Sequence, residues 1–288
     1  MEQDKKQNTA NLDKLTKIFM HLEMEPDCIK LPLEALDSSN WEKYESAGDA
    51  RIWLQKLMDG EDEAFSECCD EISHQMSFWS AIYLVFPYLV DKLAEDFDQI
   101  DPGEWLMNSS MLGISLATDC DINRGVSNIA DEAVMSCYQL SIRKFQLLIK
   151  KFLTKKAKSL SRVDSMDKAM FALEVLAAFG NRDDAFLLVN AELDQGICLA
   201  CDKCEHCNEE LEFTSKRTLS GIIPKAQAED SWNGEDFKDT YLWFGDFLEL
   251  FKIKGLAKHL PYYFGTYKCP ECGSEAVVKD LMKNFYSL

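Results

Sequence analysis

Six of the eleven cysteines of this chain fall in two clusters. Residues 198–207 read Cys-Leu-Ala-Cys-Asp-Lys-Cys-Glu-His-Cys, and Cys269-Pro-Glu-Cys272 is followed by Gly273. Two thiolates separated by two residues can face one ion from a tight turn, and two such pairs close a tetrahedral shell of four sulfurs. The second cluster supplies two ligands, so the first must supply the other two. Three CxxC pairs overlap there. Cys204 and Cys207 are preferred because residues 208–213 read as a strand leaving a knuckle. The predicted ligand set is therefore Cys204, Cys207, Cys269 and Cys272, holding a structural Zn2+. A closed four-thiolate shell leaves no position for water, so the site is structural rather than hydrolytic. Cys198 and Cys201 are left over, as buried small residues or as alternative ligands. His206 lies between two ligands and reads as exposed rather than ligating.

The sequence shows no catalytic constellation. The sequence contains no GxGxxG, P-loop, HExxH or GxSxG, and its four histidines, His21, His74, His206 and His259, have no neighbours suggesting a dyad or triad. The expectation is a protein that is not an enzyme. His74 precedes a strongly apolar segment and reads as a cap or core-edge residue, with a contact at a binding face as the functional alternative.

Charge narrows the partners. Fifty acidic and 31 basic residues give a formal net charge of −19. Such a field repels phosphate backbones and attracts basic partners. The distribution is uneven: positions 61–104 carry twelve acids and one base, Lys92, whereas positions 133–163 carry eight bases and no acid. Either the two stretches pack together and partly neutralise, or they form one acidic and one basic docking face. The candidate partner-binding residues are Glu61, Asp62, Glu63, Glu67, Asp70, Glu71 and His74. The alternative is a nucleic-acid contact through the basic run, whose interleaving with Phe145, Leu148, Ile149, Phe152 and Leu153 also fits an amphipathic helix with a solvated basic face.

The elements that must carry these residues are mostly helical. Apolar residues recur at helical spacing through residues 1–195, from Leu12, Leu15, Ile18, Phe19 and Leu22 onward. The segment from Ser77 is apolar almost all round at first, which marks central core, and Pro87 should kink it. Asp101-Pro102-Gly103-Glu104 is a helix start with a cap, a first-turn proline and the glutamate of a capping box. The pair at 166–179 and 185–193 reads as an antiparallel helical hairpin around a turn at 181–184. After Gly196 the texture turns to short strands at 211–219, 264–268 and 276–278, interrupted by a helix at about 241–260. The predicted organisation is a helical domain at 1–195 and a zinc-ribbon region at 196–288 whose inserted helix packs back on the helical domain. The longest apolar stretch, thirteen residues at 78–90, is shorter than the about 20 needed to span a bilayer. The polar opening MEQDKKQNTA lacks the apolar core of a signal peptide, so the expected location is the cytoplasm, where the scattered cysteines stay reduced.

Ser73-His74-Gln75, Ser80-Ala81 and Phe86-Pro87-Tyr88-Leu89-Val90 together resemble the opening of a group of bacterial HEAT-repeat-like proteins. The helix pair at 169–193 resembles their later repeat. Leu260-Pro-Tyr-Tyr-Phe-Gly265-Thr, running into the second cysteine pair, resembles the ribbon that some of them carry. The resemblance covers about half of the chain. It implies an α-solenoid with a small zinc-ribbon β element and no catalytic residues. It further implies a protein-binding role, most specifically an immunity protein that neutralises a basic toxin.

Overall fold

The computed structural model describes residues 22–61, 63–122, 131–190, 199–204, 206–207, 210–213, 222–226 and 237–286. Asp62, Cys198 and the amphipathic segment before Leu22 lie outside them. The described chain is mainly helical with two small antiparallel sheets. Helices α1 (Ala47–Met58) and α2 (Ala64–Ser73) lead into α3 (Ile82–Asp96), α4 (Pro102–Thr118) and α5 (Glu132–Lys155). The hairpin follows as α6 (Ser165–Phe179) and α7 (Arg182–Asn190).

The apolar opening of α3 makes it the centre of the core. Ile82 to Pro87, Leu89, Val90 and Leu93 are all buried. Its outward neighbour is α5, and aromatic side chains bind the two: Phe86 meets Tyr138 and Phe145 edge-on at centroid distances of 5.5 and 5.6 Å. A second set of contacts joins Trp105 of α4, stacked on Phe152 of α5 at 4.8 Å, and Phe152 to Phe171 of α6 at 5.6 Å. Offset and edge-on aromatic contacts of this kind stabilise beyond their buried area by about 0.5–1.5 kcal/mol each. At the start of α4, Asp101 accepts from Gly103 N at 2.7 Å with Pro102 in the first turn. The cap and proline thus act as the sequence predicts.

α4 and α6 approach closely because α4 presents small residues to its neighbour. A Cβ at Gly113 would overlap the Glu174 side chain. Glu174 itself is fully buried on α6, and its carboxyl accepts from Ser109 Oγ and, at 3.3 Å, from Ser110 Oγ. Burial pushes this carboxyl up to about 8, against the pull of the two serine hydroxyls.

Among the described residues, the C-terminal region contains two hairpins, one further strand and three helices. Strands β1 (Leu199–Lys203) and β2 (Glu210–Phe213) pair antiparallel. Strands β3 (Ile222–Ile223), β4 (Thr266–Lys268) and β5 (Glu275–Val277) form a second sheet in the order β3-β4-β5. The single helix expected at 241–260 is two: α8 (Thr240–Leu250) and α9 (Lys254–Tyr263). The break falls at Lys252, held at φ +58° in the left-handed region. A non-glycine residue there gives no compositional sign of a helix end. α8 turns back onto α6: Trp243 is fully buried against Gly180, and Phe237 bridges Trp243 and Phe179 at 5.1 and 5.6 Å. The terminal helix α10 (Val278–Tyr286) continues directly from β5.

Glu174 gives the fold a pH dependence of known sign. Its folded pKa lies above its ordinary 4.5, so between about pH 4.5 and 8 the folded chain keeps a proton that the unfolded chain releases. Stability from this group is complete below that window and falls as pH rises through it, by up to about 1.4 kcal/mol per pH unit. Glu174→Gln keeps an acceptor for the serines and removes the slope. Urea unfolding should show the variant close to the parent at pH 5 and more stable than it at pH 8.

Candidate metal centre

Each cysteine pair sits at the turn of a hairpin. Cys204 follows β1 and Cys207 lies three residues before β2, while Cys269 and Cys272 lie between β4 and β5. The second turn is tightened by Gly273 N donating to Cys269 O at 2.9 Å and by Cys269 N donating to Ser274 O at 2.9 Å. Gly273 adopts φ +74°, which favours glycine directly after the CxxC. The two turns face each other. Cys204 Sγ is 3.6 Å from Cys272 Sγ, and Cys207 Sγ is 3.7 Å from Cys269 Sγ. All four sulfurs lie within 4.8 Å of one another.

These spacings test the donor set. Four sulfurs bound at about 2.3 Å to one tetrahedral ion stand about 3.8 Å apart. The cross-hairpin distances match that geometry, so the four cysteines fit a single metal ion. Cys204 and Cys269 are buried, whereas Cys207 and Cys272 are exposed. Cys201 lies in β1, and Cys198 is outside the described residues. His206 is exposed in the turn between Cys204 and Cys207.

One contributor escapes motif reading. Ser274 Oγ lies 3.3 Å from Cys204 Sγ and 3.1 Å from Cys272 Sγ, bridging the two hairpins. Its hydroxyl, with the backbone N–H of His206, holds the Cys204 thiol down to about 6, and it also lowers Cys272. Hydrogen bonds of this kind stabilise the thiolate form that a metal requires. A serine after glycine in a turn is ordinary in sequence, so nothing marked it.

The candidate binding residues lie along α2 and in the segments just before and after it. Glu61, Glu63, Asp70 and His74 are exposed, and Glu67 and Glu71 are half-buried. His74 Nδ1 lies 3.0 Å from Asp70 Oδ1, and Lys56 reaches Glu61 at 4.0 Å. Partial burial raises the Glu71 carboxyl, and Asp49, Asp70 and Glu67 raise it further.

The basic run on α5 is not a uniformly solvated face. Lys144 is buried against Asp91 of α3. Lys150 donates to Leu22 O, Lys156 donates to Phe97 O, and the ammonium groups of Lys151 and Lys156 lie 4.4 and 4.3 Å from the Phe97 ring centroid. The Asp91–Lys144 pair joins the acidic and basic stretches, so part of the opposed charge is spent inside the fold. No described helix is long and apolar enough to cross a membrane.

Comparison with known proteins finds no match to any family model, curated protein or solved structure.

Two substitutions probe the centre. Cys269→Ser removes one of four ligands and should abolish stoichiometric metal, read by elemental analysis, with a lower melting temperature, because metal-binding free energy is folding free energy. Ser274→Ala keeps all four ligands. It should weaken metal retention about 10-fold in competition with a chromophoric chelator.

Proposed function

We propose that the chain is a non-catalytic protein-binding scaffold: a HEAT-like stack of helices stapled by a structural zinc ribbon. The bound ion is Zn2+, which suits an all-thiolate tetrahedral donor set and needs no open position to do its work. The observation that carries the binding role is the acidic face of α1 and α2. There partial burial raises the Glu71 carboxyl, and the nearby Asp49, Asp70 and Glu67 raise it further, so these acids repel one another at the surface. A basic partner relieves that repulsion and is steered to it over a distance. An immunity protein neutralising a basic toxin has this electrostatic form. Nucleic acid is the weaker reading, because three lysines of the basic run are committed to Asp91 and to backbone carbonyls.

The test is affinity capture of the tagged full chain from its native host at low salt, with mass spectrometry and nuclease-sensitive absorbance on the eluate. A basic protein recovered near stoichiometrically supports the proposal. The variant Glu67→Lys/Asp70→Lys should then slow association about 10-fold or more and flatten its salt dependence. Nucleic acid in the eluate, or capture unchanged by the double reversal, overturns it.

A further inference from the structure

The metal hairpins are tied to the helical part through one helix. α10 leaves β5 only a few residues after Cys272 and packs against both β1, which leads to Cys204, and α7. Val278 and Met282 are fully buried, and Leu281 nearly so, while also lining a small cavity with Cys204, Cys269 and Ser274. Val278 N donates to Gly265 O at 3.0 Å, fixing the start of the helix to the turn before β4.

The flanking face of α10 carries the clamp. Lys279 Nζ is 2.5 Å from Asp184 Oδ1, and Lys283 Nζ is 2.8 Å from Asp183 Oδ2. Both aspartates lie in the first turn of α7, where Asn181 Oδ1 accepts from Asp183 N at 2.9 Å. Asp184 is fully buried, and Tyr263 of α9 also donates to its Oδ1 at 3.0 Å. Asp183 Oδ1 accepts from the backbone N–H of Asp121 at 2.9 Å, which carries the connection on to the end of α4. Phe186 of α7 meets Tyr286 edge-on at 5.7 Å. Within this arrangement Asp184 Oδ2 is buried with no hydrogen-bond partner. A buried carboxylate with one oxygen unsatisfied is held only while its cation stays in place.

We propose that metal occupancy of the four-cysteine centre and docking of α10 on α7 are one coupled equilibrium. With the ion in place, the two hairpins and Leu281 hold α10 in the register that sets Lys279 and Lys283 on Asp184 and Asp183. With the ion gone, β1 and β5 are no longer fixed to one another, and α10 loses the support that keeps its lysines on the buried acids. By linkage the effect runs both ways, so a weakened clamp lowers metal affinity although every cysteine is intact. The coupling rests on the metal reading of the cysteines.

The test uses the full chain, loaded with zinc or stripped by chelator under reducing conditions, and follows amide hydrogen exchange with metal content. Stripping should speed exchange across residues 278–286 about 10-fold or more while the protection of α3 persists. Lys279→Met keeps the apolar stem and removes the ammonium, and it should lower zinc affinity about 5-fold or more. Failure of the reduced protein to take up zinc overturns the metal centre, and the coupling with it. Zinc that binds and leaves with exchange at 278–286 unchanged, or unchanged affinity in Lys279→Met, overturns the coupling alone.

Discussion

Cys207 and Cys269 are 62 positions apart in sequence and 3.7 Å apart in space. Closing a loop of that length costs roughly 4 kcal/mol of chain entropy, and neither the short turns nor strands of three to five residues repay it alone. The β3-β4-β5 sheet is too small to stand as an independent unit. The meeting of the two hairpins therefore depends on contacts beyond their own strands. Leu281 of α10 lines a small cavity with Cys204 and Cys269. The C-terminal region is thus stabilised from two sides, and the helices on which it rests become part of its folding problem.

Those helices solve a different problem. Around α3 the interior is aromatic and closely interlocked, and its few polar groups are satisfied in pairs or small networks. Asp119, buried at the end of α4, illustrates the rule: Tyr138 donates to it at 2.8 Å and Arg182 forms an ion pair with it. The pairing of Lys144 with Asp91 does the same between α3 and α5. Truncating one partner of a buried pair leaves an uncompensated charge, which costs about 3–5 kcal/mol. Glu174 is the exception, since it meets only hydroxyls and stays protonated instead of finding a cation.

Much of this was legible in the chain because it is written locally. Helical spacing placed the helices, Asp101-Pro102 marked the start of α4, and CxxC spacing named the four cysteines that come together. What stayed hidden depends on distance. Asp184 and Lys279 meet across 95 positions, and no local pattern links two aspartates in a helical turn to two lysines on a terminal helix. The same holds for which lysines of the basic run turn inward, because burial of an ammonium depends on where Asp91 and the carbonyls of Leu22 and Phe97 stand. The split between α8 and α9 was invisible for a simpler reason: Lys252 takes a left-handed conformation usually signalled by glycine or asparagine.

The four cysteines are not equivalent to solvent. Cys204 and Cys269 are shielded, and Cys207 and Cys272 stand at the surface, one from each hairpin. An ion held there is gripped from behind and open in front. A competing thiolate or chelator would reach the exposed Cys207 and Cys272 sulfurs before the buried pair. Exchange of an ion bound by all four sulfurs would then begin at the outer pair.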